Sequence, residues 1–127
     1  MAYVVVVVLM YFAQRHLLYP GATKAADALP ATAPWGTRVA IATPDGETLA
    51  AIHVPASKGR PVVLLFPGNG DNIANYGFLA DWLSERGYGL LAVSYRGYPG
   101  STGTPSEAGL LADGLVPLHS DSDSLTV

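Results

Sequence analysis

A continuous apolar run at Val62–Phe66 (VVLLF) is the feature that most restricts the fold of this chain. Turn residues bound it on both sides, which is typical of a strand buried on both faces of a parallel sheet. A second apolar run follows at Leu90–Tyr95. The segment between them has helical periodicity. It should begin at Asp71 or Asn72, either of which can cap a helix, and end at Gly87. Strand, helix and strand in this order predict a βαβ unit.

A β-hairpin is predicted upstream of this unit. Apolar and polar residues alternate over Thr37–Thr43 and again over Glu47–Val54, with the turn Pro44–Gly46 between them. The predicted fold class is therefore α/β, and the predicted domain covers residues 37–115.

A second helix is predicted after the glycine-rich loop Arg96–Gly103. Thr104 can act as its N-cap, Pro105 suits its first position, and Glu107 completes a capping box. We expect this helix to run to about Asp113.

The last part of the chain is unlike the domain that precedes it. Gly114 and Pro117 should end the helix, because both residues disfavour the helical backbone. Residues 116–127 are polar, rich in Ser and Asp, and without periodicity, so we expect a disordered tail.

The N-terminus is predicted to be a membrane anchor. Met1–Ala13 contains no charged residue, and we expect residues 1–19 to form an apolar helix that binds a lipid bilayer, with the protein located at the membrane. The side of the membrane stays open. A signal peptide is one alternative, and a core strand is another because Val4–Val8 are all β-branched. Residues 20–36 are rich in Ala, Pro and Gly and are predicted to be a linker.

Composition excludes several classes of function. Seven Lys and Arg against ten Asp and Glu give a net charge of −3, so no basic surface indicates nucleic-acid binding. The chain has no Cys, which excludes disulfides, zinc–cysteine sites and a thiol nucleophile. No two His residues have the spacing of metal ligands, so we expect no metal site.

The turn after the first apolar run is the predicted place for chemistry. Pro67–Asn72 (PGNGDN) joins a central strand to a helix N-terminus, where backbone N–H groups and the helix dipole can hold an anion or an oxyanion. A plain strand-to-helix turn is an equally good interpretation of these residues alone. The Gly-Lys-Ser/Thr ending of a P-loop is absent, and Ile73 stands where a dinucleotide fingerprint needs Gly or Ala, so no cofactor is expected.

Three segments resemble a known family: FPGNGDN at 66–72, SYRGYPGSTGTPSEAGLLAD at 94–113, and YFAQRHLLYPG at 11–21. They are similar to membrane-anchored α/β-hydrolases of the branch that resembles serine aminopeptidases and lysophospholipases, the abhydrolase-domain proteins. The resemblance implies the N-terminal half of an α/β-hydrolase sheet. It also implies that the backbone N–H of Asn69 is one oxyanion-hole donor. Pro67 stands where this family usually has His.

The catalytic triad that the resemblance implies is missing from this chain. No Gly-x-Ser-x-Gly elbow exists, and the nearest segment, Gly100–Gly103 around Ser101, has the wrong spacing and is predicted to be a flexible turn. His53 is predicted to be an ordinary strand residue, and His16 and His119 lie near the two ends of the chain.

Three aspartates receive structural roles rather than catalytic ones. Asp71 is predicted to be a helix cap, Asp81 a helix-surface charge and Asp113 a helix-end charge.

Two functional hypotheses follow. The first is an N-terminal fragment of a serine hydrolase, cut before the nucleophile by a frameshift or premature stop and inactive as this chain. A small ester or peptide-like substrate would then bind only to the full-length enzyme. The second is a small membrane-anchored binding or interaction protein without catalysis.

Overall fold

The computed structural model describes residues 1–23, 29–30 and 33–119. It contains both helices and strands, as the sequence predicts for an α/β fold. In chain order they are α1 (Ala2–Leu18), a 3₁₀ helix (Pro20–Thr23), β1 (Thr37–Ala42), β2 (Thr48–Val54), β3 (Val62–Leu65), a second 3₁₀ helix (Ile73–Tyr76), α2 (Gly77–Ser84), β4 (Gly89–Val93) and α3 (Glu107–His119).

The four strands form one mixed sheet in the order β1-β2-β4-β3. Strands β1 and β2 are antiparallel, which confirms the predicted hairpin. Strand β3 is parallel to β4, with Val63 opposite Leu90, and the chain between them contains α2, which confirms the βαβ unit. Strand β4 also pairs with β2 in antiparallel fashion, so it lies in the middle of the sheet.

The core lies on both faces of the sheet because successive strand residues point to opposite sides. On one face Leu49, Ala51 and Leu91 belong to one buried cluster, against which Val116 of α3 packs. On the other face Ala50, Ile52 and Ala92 form a cluster with Ile73, and Leu90 packs with Ala80 and Leu83 of α2.

Part of the segment predicted to be a linker packs against the domain. Leu29 is only 6% exposed and lies in the cluster with Ala50 and Ile52. The Trp35 indole N–H donates a hydrogen bond to the Ala74 carbonyl at 3.0 Å. Residues 24–28 and 31–32 of this segment lie outside the described residues.

Helix α3 differs from its prediction at both ends. It begins at Glu107 rather than after Thr104, and the Ser106 hydroxyl accepts a hydrogen bond from the Gly109 N–H at 3.2 Å, as a cap does. The predicted end near Asp113 is wrong, because the helix continues through Pro117 to His119.

The physical reason for the longer helix is burial on one face. Gly109, Asp113 and Pro117 are spaced by four residues and all three are buried, so packing outweighs the weak helical propensity of Gly114 and Pro117. Residues 116–119 of the predicted disordered tail are thus helical, and residues 120–127 lie outside the described part of the chain.

Helix α1 has no buried residue. It excludes the alternative of a core strand at residues 4–8. Among the described residues, no helix has both the length and the hydropathy that crossing a bilayer requires.

Strand β3 lies at one edge of the sheet. The exposure of its first two residues corrects the prediction of a strand buried on both faces. Val62 is 46% exposed and Val63 is 36% exposed. Within the described residues no strand pairs with the outer edge of β3, which therefore presents unpaired backbone groups beside apolar side chains.

We predict that Val62→Lys reduces self-association of the purified chain without unfolding it. A lysine on an exposed edge strand opposes edge-to-edge pairing, and its long side chain can reach water. Light scattering against time at fixed concentration measures the effect. The matched control is Leu90→Lys on the neighbouring strand, which buries a charge and should unfold the domain. Equal aggregation of Val62→Lys and the parent chain would contradict the prediction.

Candidate functional site

The turn that contains Asn69 lies at the carboxyl end of β3. Strands β3 and β4 are parallel, so the turn after β3 and the loop after β4 meet at the carboxyl end of these two strands. Ligands of open α/β sheets bind beyond the carboxyl ends of the strands.

The second half of the turn is held by side chains of its own residues. The Asp71 carboxylate accepts hydrogen bonds from the Asn72 N–H at 2.8 Å, the Asn75 amide at 3.0 Å and the Tyr76 hydroxyl at 2.8 Å. The bond to Asp71 raises the pKa of Tyr76. The Asn72 side chain accepts from the Ala74 N–H at 2.9 Å, which confirms Asn72 as a helix cap.

Asn69 is held by hydrogen bonds from the loop after β4 and from the N-terminal segment. The Tyr98 hydroxyl lies 3.0 Å from the Asn69 carbonyl oxygen and also bonds to the Asn69 side-chain oxygen. From the other side, the Gly21 N–H donates to the Asn69 carbonyl at 3.2 Å, and the Asn69 side-chain amide donates to the Leu18 carbonyl. The N-terminal segment and the loop after β4 therefore both fix this turn.

Gly21 is required at its position by close packing. A Cβ atom there would lie 2.1 Å from Cε1 of Tyr98, well inside the limit for a real contact. Tyr98 is itself 3% exposed, so it has little room to move away.

The backbone N–H of Asn69 has no hydrogen-bond acceptor within the described part of the chain. The carbonyl of the same peptide group, that of Gly68, accepts a hydrogen bond from the Asp71 N–H at 3.0 Å inside the turn. Because C=O and N–H point in opposite directions in a trans peptide, the Asn69 N–H points away from the interior of the turn. This geometry leaves a backbone donor available to a ligand.

Two tyrosines support the first half of the turn. The Tyr95 hydroxyl donates to the Pro67 carbonyl at 2.9 Å, and the Tyr95 ring stacks on Phe66 with 6.0 Å between centroids. Burial raises the pKa of both Tyr95 and Tyr98, so both hydroxyls remain protonated donors at neutral pH.

The loop after β4 is anchored by a buried ion pair. The Arg96 guanidinium donates to both carboxylate oxygens of Asp113, from Nε at 2.8 Å and from Nη2 at 2.6 Å. Its third nitrogen, Nη1, donates at 2.8 Å to Asp45 in the turn between β1 and β2. These bonds raise the pKa of Arg96, and the bond from Arg96 lowers the pKa of Asp45.

Asp113 therefore corrects a prediction. It is not a charge at a helix end but a residue within α3, only 1% exposed. The signal that could have revealed it is the pair Gly109 and Asp113, spaced by four residues on one helix face. A Cβ on Gly109 would lie 2.7 Å from Cδ of Arg96, so the glycine makes room for the arginine.

The other residues considered from the sequence have structural positions. The Ser101 hydroxyl donates to the Ser94 carbonyl at 3.0 Å and accepts from the Ala50 N–H at 2.8 Å, so it closes a turn. His53 lies in β2, where burial lowers its pKa. Asp81 is an exposed residue of α2, as predicted.

Comparison with solved structures defines the class of fold. The chain is similar to an esterase from Pyrococcus furiosus, with a TM-score of 0.54 and 22% identity over 65% of this chain and 34% of that protein. It is also similar to an α/β-hydrolase from Vibrio vulnificus, with a TM-score of 0.50 and 24% identity over 64% of this chain and 28% of that protein. The chain has the fold of the N-terminal part of an α/β-hydrolase.

Comparison of sequences gives relatives in bacteria and yeast. The chain is 34% identical over 110 residues to the uncharacterised protein Rv2307c of Mycobacterium tuberculosis, which covers 85% of this chain and 39% of that protein. It is 35% identical over 86 residues to YfhR of Escherichia coli, covering 63% and 30%, and 34% identical over 86 residues to bem46 of Schizosaccharomyces pombe, covering 65% and 29%. The chain thus spans two fifths or less of these relatives. No family model matches it.

We predict that Asp113→Asn lowers the free energy of unfolding by about 3–5 kcal/mol, because the buried Arg96 charge loses its partner. Urea denaturation followed by circular dichroism measures this change. Asp45→Asn is the control, since the Asp45 side chain is 51% exposed and its loss should matter much less. Equal effects of the two variants would show that the buried pair is not the stronger one.

Tyr98→Phe should loosen the Asn69 turn. It removes the hydroxyl that bonds to Asn69 and should cost about 0.5–1.5 kcal/mol, the net contribution of a hydrogen bond, because Asn69 is exposed and its carbonyl keeps the bond from the Gly21 N–H. In a ¹⁵N–¹H correlation spectrum the signals of Gly21 and Asn69 should shift. Tyr88→Phe is the control, since the Tyr88 hydroxyl has no hydrogen-bond partner among the described residues. Unchanged Gly21 and Asn69 signals would contradict the role of the Tyr98 hydroxyl in holding the Asn69 turn.

Proposed function

We propose that this chain forms the N-terminal part of the catalytic domain of a serine hydrolase of the α/β class, acting on ester, thioester or amide bonds. One finding supports this function: the chain shares its fold with an esterase and an α/β-hydrolase. The observation that carries the proposal is the outward Asn69 N–H in the turn after β3.

The role proposed for Asn69 follows from the chemistry of acyl transfer. A serine oxygen attacks the carbonyl carbon of the substrate, its proton passes to a histidine, and the electron pair of the C=O bond moves onto oxygen. The resulting oxyanion is stabilised by backbone N–H donors that already point at it. Asn69 would supply one of these donors. Collapse of the intermediate then forms the acyl-enzyme and expels the leaving group, which takes the proton from the histidine.

The nucleophile itself would come from residues outside this chain. No Gly-x-Ser-x-Gly segment occurs in its sequence, and the hydroxyl of Ser101 is used in a turn. The uncovered edge of β3 can accept a further parallel strand, and we place the nucleophile-bearing strand there. The 127 residues alone are then unable to form an acyl-enzyme.

A fluorophosphonate probe, which reacts covalently with activated serines, tests whether this chain lacks the nucleophile. The chain of 127 residues should not be labelled, because it lacks an activated serine. An esterase known to react with the probe is the positive control. Labelling of this chain at a serine, located by mass spectrometry, would contradict the proposal.

A fusion tests the role of Asn69 directly. Residues 1–113 of this chain replace the matching segment of the mycobacterial relative, and hydrolysis of p-nitrophenyl esters is measured. Asn69→Pro removes the N–H and should lower kcat by about 10²–10³-fold, the effect of losing one oxyanion donor.

Asn69→Ala is the matched control because it keeps the N–H and removes the side chain. It should retain kcat within about tenfold. The comparison uses fusions whose melting temperatures lie within a few degrees of each other. If Asn69→Pro kept the full kcat, Asn69 would not be an oxyanion donor.

A further inference from the structure

A cleft of about 320 Å³ lies between the end of α1 and the loop after β4. Its lining includes Arg15, His16 and Tyr19 on one side and Gly97, Thr104 and Pro105 on the other. This volume is at the lower end of the range for sites that bind small molecules. We call this feature the α1 cleft.

The α1 cleft lies beside the Asn69 turn. In the chain, its lining residue Tyr19 lies between Leu18 and Gly21, and both of these neighbours form hydrogen bonds with Asn69. The opposite wall belongs to the same loop as Tyr98, whose hydroxyl bonds to the Asn69 carbonyl. A molecule in the cleft would therefore be a neighbour of the candidate site.

Arg15 is the one arginine of this chain whose guanidinium has no partner among the described residues. The others each have a hydrogen bond, an ion pair or an aromatic ring as partner, and they are Arg38, Arg60, Arg86 and Arg96. Within residues 1–23, 29–30 and 33–119, no carboxylate forms a salt bridge with Arg15 or with His16. The Arg15 guanidinium, whose planar fork of donors matches a carboxylate, is thus available to a ligand.

The end of α1 does not need these basic side chains to satisfy its backbone. Basic residues in a last helical turn commonly compensate unpaired carbonyl groups. Here the Arg15 carbonyl accepts from the Tyr19 N–H at 2.9 Å, and the Leu18 carbonyl accepts from the Asn69 side chain. These donors also offset part of the negative end of the helix dipole, which would otherwise oppose an anion in the cleft.

The opposite wall of the α1 cleft is formed by backbone. Gly97 has a φ of 74°, and a Cβ atom there would lie 2.5 Å from Cδ of Pro105, so a side chain at position 97 is excluded. Thr104 in the same wall has a hydroxyl, as has Tyr19 across the cleft. Both hydroxyls can donate to an anion.

The charges around the cleft favour an anion with a single charge. Arg15 supplies one positive charge, while Glu47 lies close to the lining residue Gly103, where a Cβ atom would be 2.7 Å from Cδ of Glu47. The Thr102 hydroxyl donates to this carboxylate at 2.5 Å and holds it there. A phosphate monoester, with nearly two negative charges at neutral pH, would meet one arginine and a nearby carboxylate. A carboxylate ligand has the one charge that a single guanidinium can balance.

We propose that the α1 cleft binds the carboxylate of a monoanionic substrate, with the Arg15 guanidinium as its main contact and the Tyr19 and Thr104 hydroxyls as further donors. Arg15 lies about 4.5 Å along the helix before Leu18, which bonds to Asn69, so this carboxylate is several bonds away from the bond that is cleaved. The substrate class is then an ester, thioester or amide that also has a carboxylate. Its assignment as substrate rests on the proposed hydrolase function, whereas binding of the carboxylate does not.

Binding is measured with the full chain of 127 residues and two esters that differ by one charge. Monomethyl adipate has a carboxylate, and dimethyl adipate has none. In a ¹⁵N–¹H correlation spectrum, monomethyl adipate should shift the signals of Gly97, Gly103 and Thr104 until saturation. It should bind at least about tenfold more tightly than the diester, because a charged donor meets a charged acceptor. Equal affinities for the two esters, or unchanged signals, would overturn the proposal.

Arg15→Gln keeps a polar side chain and removes the charge. It should weaken binding of monomethyl adipate by about tenfold or more and leave binding of the diester within about twofold. Arg60→Gln is the matched control, since Arg60 is also exposed but precedes β3, at the opposite end of that strand from Asn69. It should keep the affinity for the monoester within about twofold, because salt screens distant charges.

Two results with these variants and ligands would overturn the proposal. An equal loss of affinity in Arg15→Gln and Arg60→Gln would indicate a general effect of net charge rather than a site. Tighter binding of methyl phosphate than of monomethyl adipate would show that the cleft does not select a carboxylate.

The assignment to a substrate is tested in the fusion of residues 1–113 with the mycobacterial relative. Its kcat/KM for the p-nitrophenyl monoester of adipic acid is compared with that for p-nitrophenyl 6-methylheptanoate, in which a branched methyl end replaces the carboxylate. The fusion should prefer the charged ester by about tenfold or more, mainly through a lower KM, and Arg15→Gln should remove this preference while keeping kcat/KM for the neutral ester.

A preference that persists in the Arg15→Gln fusion would overturn the role of Arg15 in substrate selection. A fusion that hydrolyses neither ester would overturn the hydrolase function and, with it, the assignment of the carboxylate to a substrate. The binding results with the chain of 127 residues would still decide whether the cleft holds a carboxylate, so the two failures are distinguishable.

Discussion

The buried pair between Arg96 and Asp113 is the interaction on which the arrangement of this domain depends. It connects two residues that are 17 positions apart in the chain. A further bond from Arg96, to Asp45, connects the same loop to the turn between β1 and β2. An arginine so enclosed needs its charge compensated on all sides, and the fork of the guanidinium provides geometry for two carboxylates at once. With Arg96 held in place, Tyr98 follows only two residues later, and Tyr98 in turn holds Asn69.

In the Asn69 turn, hydrogen bonds to the neighbouring carbonyl groups fix the backbone and leave the Asn69 N–H available to a ligand. The carbonyl of Asn69 is occupied by Tyr98 and Gly21, and the carbonyl of Gly68 by Asp71. These bonds fix both peptide groups that flank Asn69, and the remaining N–H is left pointing outward. A donor fixed in this way needs no reorganisation when charge develops near it, which is the condition for electrostatic stabilisation of an oxyanion.

The local patterns of the sequence predicted the local parts of the fold. Alternation predicts the hairpin, the apolar runs predict β3 and β4, and the capping signal predicts a helix start at Asp71 or Asn72, of which the structure has Asn72 as the cap. The same reasoning failed for α3, where Pro117 lies inside the helix. That outcome depends on burial of Gly109 and Asp113 against distant residues. The packing of Leu29 and the hydrogen bonds that hold Asn69 are also long-range contacts, which neither composition nor periodicity specifies. The sequence does predict the Asn69 turn as the place for chemistry.

The central position of β4 also has a consequence for the order of events during synthesis. The hairpin of β1 and β2 can form as soon as it leaves the ribosome, since its contacts are local. Strand β3 cannot pair then, because its neighbour in the sheet is made later: Val62 pairs with Gly89, 27 residues further along (89 − 62). At roughly 5–20 residues per second, β3 waits on the order of seconds as an unpaired apolar segment before β4 arrives between it and β2. During this interval of translation, the exposed β3 segment is the part of the nascent chain that most needs a chaperone.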